Sequence, residues 1–302
     1  MTSIADAARL IRLGEAKFIL AGGMESMTNA PHVLLGARQG YRLGDATLVD
    51  TLNHDGLWCA FDHCIMGESS DRKNKALGVG RAEQDEWAAA SHERAVAATK
   101  AGLFDNEIVP ASVPQRRGDP LLVETDEGMR PGTTTESLGK LRAAFSADGT
   151  VTAGNASQIS DGAAAVIVAD RAAAEAAGLP IVAEIVSYGQ TAGPDATLHE
   201  RPAEALSKAL ATAGLDSSAL DLVEINEAFA AVALWSAKML DIGHDRVNVN
   251  GGAVALGHPL GATGARITVT LINALRNRGG GVGGATLCGG GGQGDALIVK
   301  VQ

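Results

Sequence analysis

Val247–Ile267 reads VNVNGGAVALGHPLGATGARI: a short apolar run, a glycine pair, then Gly257-His258-Pro259 ahead of a helix expected over Gly261–Arg278. His258 stands among small residues with nothing evident to pack against. Upstream, Leu222–Ile225 reads as a strand running into Asn226-Glu227-Ala228-Phe229. Downstream, Gly284–Leu287 reads as a strand running into Cys288-Gly289-Gly290-Gly291-Gly292. Each cluster follows a strand or its exit, so each sets a reactive side chain where the loops of a parallel sheet converge. An amide, an imidazole and a thiol presented together are equipment for acyl transfer: oxyanion donor, base, and sulfur nucleophile or base.

Every motif also has a bland reading. Cys288 fits a glycine-rich hairpin with an incidental buried thiol. Asn226-Glu227 fits a helix cap, and a lone histidine is more often structural than catalytic. The joint order of the three carries the argument.

Outward from these motifs the carboxy-terminal part is regular α/β. Strands are expected at Ile181–Val186, Leu222–Ile225 and Val247–Val249, helices at Pro202–Ala213 and Ala228–Leu240, and a terminal hairpin at Gly284–Leu287 with Ala296–Val301. At the other end, Thr2–Leu13 has helical period, Gly14 stops it, and Lys17–Ala21 reads as a strand ending at Gly22-Gly23. From about Asn29 to Thr152 the texture is polar and irregular around a clear helix at Arg81–Ala101, as in an inserted subdomain. Ala163–Ala169 then reads as a strand, followed by an alanine-rich helix to Gly178.

Composition narrows the function. The chain has 302 residues, 46% hydrophobic, 3% aromatic and 38 glycines, which suits a closely packed α/β protein. A net charge of −10 argues against nucleic acid. Cys59, Cys64 and Cys288 form no disulfide framework, in keeping with a reducing cytoplasm. Cys59, His63 and Cys64 cluster, but without the fourth ligand or the CxxC spacing of structural zinc, so no metal is expected. No membrane-spanning run is present.

Together the motifs resemble the thiolases, and among them the acetyl-CoA acetyltransferases. The matching stretches are AGGMESMTNAP (Ala21–Pro31), Met66-Gly67, KLRAAF (Lys140–Phe145), VTAGNAS (Val151–Ser157), NEAFA, the Val247–Ile267 block and LCGGGGQG (Leu287–Gly294). The resemblance implies a layered αβαβα fold, with residues 1–28 and 160–179 in an amino-terminal thiolase domain whose half is incomplete. It places 29–159 in an inserted CoA-binding loop domain and 180–302 in a carboxy-terminal thiolase domain. It also implies a homodimer or homotetramer acting on acetyl-CoA, acetoacetyl-CoA and CoA, with no cofactor.

The implied chemistry is a two-stage Claisen condensation through an acyl-enzyme. His258 would activate the nucleophile, Cys288 would remove the α-proton, and Asn226 would hold a water that with His258 stabilises the enolate. The Gly290 N–H would serve a second oxyanion hole. Carried over by motif, Arg130 and Ser137 lie near the nucleotide of CoA, Phe145, Ala153, Gly154 and Ser157 along the pantetheine, and Met66 and Phe229 at the acyl pocket. The family's nucleophile sits in a Cys-x-Ser-Gly segment opening the helix that matches Thr2–Leu13. The matching position falls just before Met1, and Cys59 and Cys64 lie in the inserted domain. The expectation is therefore a late start codon or a truncated gene copy, with a catalytically dead CoA-binding remnant as the rival reading. Ile65-Met66-Gly67 stands where biosynthetic members often carry His-Met-Gly, whereas Gln158–Gly162 leans toward members accepting longer chains. Chain-length preference stays open.

Overall fold

The computed structural model describes residues 1–302. From the amino end come α1 (Thr2–Arg12) and β1 (Phe18–Ser26), then the pairs β2 (His32–Leu34) with β3 (Leu48–Asp50) and β4 (Trp58–Cys59) with β5 (Cys64–Ile65). Next are α2 (Met66–Leu77), α3 (Arg81–Lys100), the pair β6 (Ala111–Val113) and β7 (Leu121–Val123), α4 (Thr135–Gly139) and β8 (Asp161–Ala169). The remainder is α5 (Arg171–Ala176), β9 (Glu184–Ala192), α6 (Arg201–Ala213), β10 (Leu222–Ile225), α7 (Ala230–Met239), α8 (Ala253–Leu256), α9 (Thr263–Arg276), β11 (Gly281–Gly289) and β12 (Gln293–Val301).

The central sheet has the order β10-β11-β12-β9, with β10 parallel to β11 and the other pairs antiparallel. Alternation along β12 sorts its two faces. Ala296 and Ile298 join a core with α6 and α7, whereas Leu297, Val299 and Val301 join one with α9. The second core continues through α9 to Ile4 and Ala7 of α1, Ala21 of β1 and Val168 of β8. Beyond it, β1 and β8 pair antiparallel over nine residues, from Phe18↔Ala169 to Ser26↔Asp161. The stack is thus helix, sheet, helix, sheet, the layered α/β order that the resemblance implies. On the outer face of β1–β8, Leu20 (75% exposed), Met24 and Ile167 remain open.

Between β1 and β8 the chain builds an excursion around α2, α3 and α4. It is tied by buried polar groups: Asp71 Oδ1 accepts from the Thr150 and Val151 N–H groups, and Asp85 takes Arg81 Nε at 2.6 Å and Asn155 Nδ2 at 2.9 Å. No helix in the chain is long and apolar enough to cross a membrane.

Two expected strands are corrected. Val247–Val249 makes only a single parallel bridge, Val247 to Val223. Asn248 takes φ +48° and its side-chain amide does what a strand would: Oδ1 accepts from Ile225 N–H and Nδ2 donates to Ile225 O, both at 2.8 Å. The strand expected at Ile181–Val186 begins instead at Glu184 and runs to Ala192, leaving Ile181 and Val182 on the surface. Its inward residues are Ser187, Gly189 and Thr191, because α6 passes so close that a Cβ on Gly189 would collide with Ala205 O. Small polar residues there hide the strand from an apolar-run reading.

Candidate active site

β10 delivers Asn226. Its N–H donates to Thr286 O at 2.9 Å, prolonging the β10–β11 ladder by one bond, and its side chain is fully buried. Glu227, next in sequence, is not a helix cap: α7 is capped by Phe229 and without a side-chain bond. Its carboxylate instead accepts four bonds, from Trp87 Nε1 and Ser91 Oγ of α3, Asn248 Nδ2, and the Val254 N–H of α8, all at 2.8–3.0 Å.

His258 follows the short helix α8, not a strand, and it is far from isolated. Its N–H donates to Ser160 Oγ at 3.2 Å, and Ser160 Oγ in turn donates to Gln158 O. Gly257 has φ +94°, and Ser160 occupies the space a Cβ would need there. The ring's Nδ1 lies 2.7 Å from Thr263 Oγ1, and that hydroxyl donates its only proton to Pro259 O at 2.9 Å. Thr263 Oγ1 must therefore accept from Nδ1–H, which leaves the lone pair on Nε2. Asn226 Nδ2 sits 3.3 Å from that Nε2, and Asn226 Oδ1 has no donor within the chain. Burial, aided by the Arg266 guanidinium, pulls the imidazole down to about 4, so at neutral pH it is an uncharged base. Thr263→Val should release this tautomer while Thr263→Ser keeps it. Heteronuclear NMR of the imidazole nitrogens reads the difference, and an unchanged Nδ1-protonated pattern in Thr263→Val would refute the assignment.

Cys288 lies inside β11, one residue from its end, and not beyond the strand as the sequence implied. It is packed with Leu198 and Val232, with Met66, Ala228 and Phe229 around them. Burial pushes its thiol up to about 12, so it rests protonated. Phe145 meets Phe229 edge-on at 6.2 Å and covers Gly67, so Met66, Phe145 and Phe229 form an apolar wall next to Cys288. Gly290 is exposed and its N–H has no acceptor within the chain.

The other singled-out residues lie farther along the excursion. Ser157 bonds through both N–H and Oγ to Ala228 O, tying the VTAGNAS segment to the residue before Phe229. Gly154 is covered by Leu138 and Leu141, and Ala153 is exposed. Ser137 closes a capping box with Thr134 at the start of α4, so its hydroxyl is already engaged. Arg130 is anchored by its backbone to His92 Nδ1, and its exposed guanidinium makes no ion pair in the chain. No group of three His, Cys, Asp or Glu side chains converges as a metal site, the Cys59–His63–Cys64 cluster included.

Family models for the thiolase N-terminal domain and the thiolase C-terminal domain match residues 1–172 and 179–301. The chain belongs to the thiolase family. A "Probable acetyl-CoA acetyltransferase" of Mycolicibacterium smegmatis is 54% identical over 99% of this chain and 77% of its own length. An "Acetyl-CoA acetyltransferase" of Pseudomonas aeruginosa is 50% identical over 97% of this chain and 74% of its own. Among solved structures, the Bacillus anthracis acetyl-CoA acetyltransferase superposes with a TM-score of 0.96 at 40% identity, covering all of this chain and 76% of that one. Human mitochondrial 3-ketoacyl-CoA thiolase gives 0.95, also at 40% identity.

Within this thiolase chain, three residues escaped the sequence reading. Thr263 was hidden as an ordinary helical residue, Ser160 lay in a segment read only for chain-length preference, and Glu227 was assigned to a cap. Only the spacing His258 to Thr263, at the start of the following helix, carried a signal that a hydroxyl would reach the ring. The amino terminus also meets the site: Met1 N packs against Gly264, next to Thr263, so the α1 and α9 amino ends converge.

Proposed function

We propose that the chain catalyses acyl transfer between CoA thioesters, condensing two acetyl-CoA to acetoacetyl-CoA and CoA, with thiolysis as the reverse. The observation that carries this reading is the Asn226–His258 pair, with its proton fixed on Nδ1, at the same sheet end as the protonated Cys288. The names of the 50–54% identical relatives support it.

The roles follow from the protonation states. His258 Nε2 takes the proton of an acyl-accepting thiol, which the resemblance places just before Met1, on the side where Met1 meets Gly264. Cys288 first gives its proton to the departing CoA thiolate. It is thereby left as the thiolate that removes an α-proton from the second acetyl-CoA. The enolate oxygen faces the now protonated Nε2 and a water held by Asn226, while the Gly290 N–H serves the acyl-enzyme carbonyl. As the new carbon–carbon bond forms and the acceptor thiolate leaves, it recovers its proton from His258. Arg130 supplies a free cation for a CoA phosphate, and Met66 and Phe229 hold the acyl group.

The α-proton step is the one in which Cys288 acts as the base and the Asn226–His258 pair faces the enolate oxygen, so it tests these assignments. In deuterated buffer the chain should speed incorporation of deuterium into the acetyl group of acetyl-CoA, and Cys288→Ala should fall to the buffer rate. Incorporation no faster with the wild type than with Cys288→Ala would overturn the assignment.

A further inference from the structure

β4 and β5 are two-residue strands whose register sets Cys59 directly opposite Cys64. Directly opposed residues of an antiparallel pair hold their Cα atoms ~4.5–5.5 Å apart with both side chains on one face. Disulfides take Cα separations of ~4.4–6.8 Å, so the backbone is already placed for a bridge. Both are free thiols, 4% and 5% exposed. Each sulfur also has an N–H aimed at it: Arg72 Nη2 at 3.0 Å from Cys64 Sγ, and the Asp62 N–H at 3.4 Å from Cys59 Sγ. The Arg72 cation stabilises negative charge as it develops on Cys64 during thiol–disulfide exchange.

The hairpin between them lies on the active-site turn. Phe61 at its tip covers Gly291, where an added Cβ would come within 2.8 Å of Phe61 Cε2. Met66, just after β5, places Sδ 3.5 Å from the corresponding position on Gly290. A bridge would close only Ala60–His63, and so short a loop gains the least chain entropy from cross-linking. Its effect would therefore be local stiffening and not global stability.

We propose that Cys59 and Cys64 form a dithiol–disulfide couple that reversibly pins the β4–β5 hairpin against the Gly290–Gly292 turn. The oxidant is a low-molecular-weight disulfide. Cys64 sulfur attacks one of its sulfurs, the external S–S bond breaks, and the first small thiolate leaves with the Cys64 proton. Cys59 sulfur then attacks Cys64 sulfur in the mixed disulfide, and the second small thiolate leaves with the Cys59 proton. Two protein thiols are oxidised by two electrons, and one external disulfide is reduced to two thiols.

The whole chain is equilibrated in glutathione buffers of graded oxidised-to-reduced ratio, denatured, alkylated and digested with trypsin. Residues 43–72 contain both cysteines and no internal Lys or Arg, so one peptide reports the couple. As the ratio rises, that peptide should become two hydrogens lighter and take no alkyl group, and dithiothreitol should reverse this. Cys288 should stay alkylated throughout. Cys59→Ser should trap glutathione on Cys64, and Cys59→Ala serves the same purpose if the serine variant fails to fold. Amide exchange over Gly290–Gln293 should slow in the oxidised form. Two alkyl groups on the wild-type peptide at every ratio would overturn the couple, as would glutathione retained on wild-type Cys64. A lighter peptide with unchanged exchange over Gly290–Gln293 would overturn the pinning.

Discussion

Glu227→Gln is expected to lower the free energy of unfolding by roughly 3 kcal/mol or more, from the cost of buried donors left without acceptors. Glu227 is 1% exposed, and the four groups around its carboxylate are all donors. A glutamine of the same shape keeps one acceptor oxygen and turns an NH2 toward two of those donors. The deficit cannot be relieved by rotation, because both oxygens are bonded on their two sides. Nor can water enter easily, since Gly252 lies so close that a Cβ there would collide with the carboxyl group. The four donors come from α3, α8 and the Asn248 turn, so one side chain joins the excursion to the sheet. A typical domain has only ~5–15 kcal/mol in total, so the shift should be plain in a urea titration. A midpoint unchanged within error would show that these bonds are dispensable. The loss should also be felt at Asn226, whose neighbour holds it between β10 and α7. Glu227→Gln should therefore slow acetyl-CoA deuteration as well.

What the sequence makes legible here is what is local. The three motifs, the long helix α3 and the strand Leu222–Ile225 depend on neighbours in the chain, and the structure places them within a residue or so. The Val247–Val249 strand fails because a side-chain amide, Asn248, replaces a run of backbone bonds, and periodicity carries no sign of that substitution. The β9 strand shifts because close approach of α6 selects Ser187, Gly189 and Thr191, residues that a search for apolar alternation passes over. Glu227 binds Trp87 and Ser91 of the distant helix α3, partners that sequence order does not reveal. The tautomer of His258 is intermediate in kind. Thr263 is only five residues away, but its role depends on the hydroxyl proton being committed to Pro259 O, which is visible only in three dimensions.

Stability should decline from pH 6.5 toward pH 8 and be lost again in acid, for reasons that separate by residue. Glu224 on β10 is 2% exposed, and burial pushes its carboxyl up to about 8, against a partial pull from the Arg266 guanidinium. Because its folded value lies above the unfolded 4.5, folding favours the protonated form. Its contribution is complete below pH 4.5 and is lost as pH rises through about 8. His258 and His199 behave in the opposite sense, since burial lowers them to about 4 and about 3. Folding favours their neutral forms, so their contributions are complete above 6.5 and are lost as pH falls toward those values. Each group changes stability by about 1.4 kcal/mol per pH unit inside its window. Between 4.5 and 6.5 His258, His199 and the likewise lowered His92 push stability up with pH, against Glu224 and the raised carboxyls of Glu107 and Asp126. Above 6.5 the histidines add no further slope, and Glu224 drives a decline of about 2 kcal/mol by pH 8, opposed by the partly buried Met1 amino group, which burial holds below its ordinary 8.0. Glu224→Gln removes the ionisable group and should flatten that alkaline decline while leaving the acid limb in place. Urea midpoints of wild type and variant across pH 5 to 9 decide it. A wild-type midpoint level from pH 6.5 to 8, or a decline that persists in Glu224→Gln, would show that Glu224 does not govern the alkaline limb.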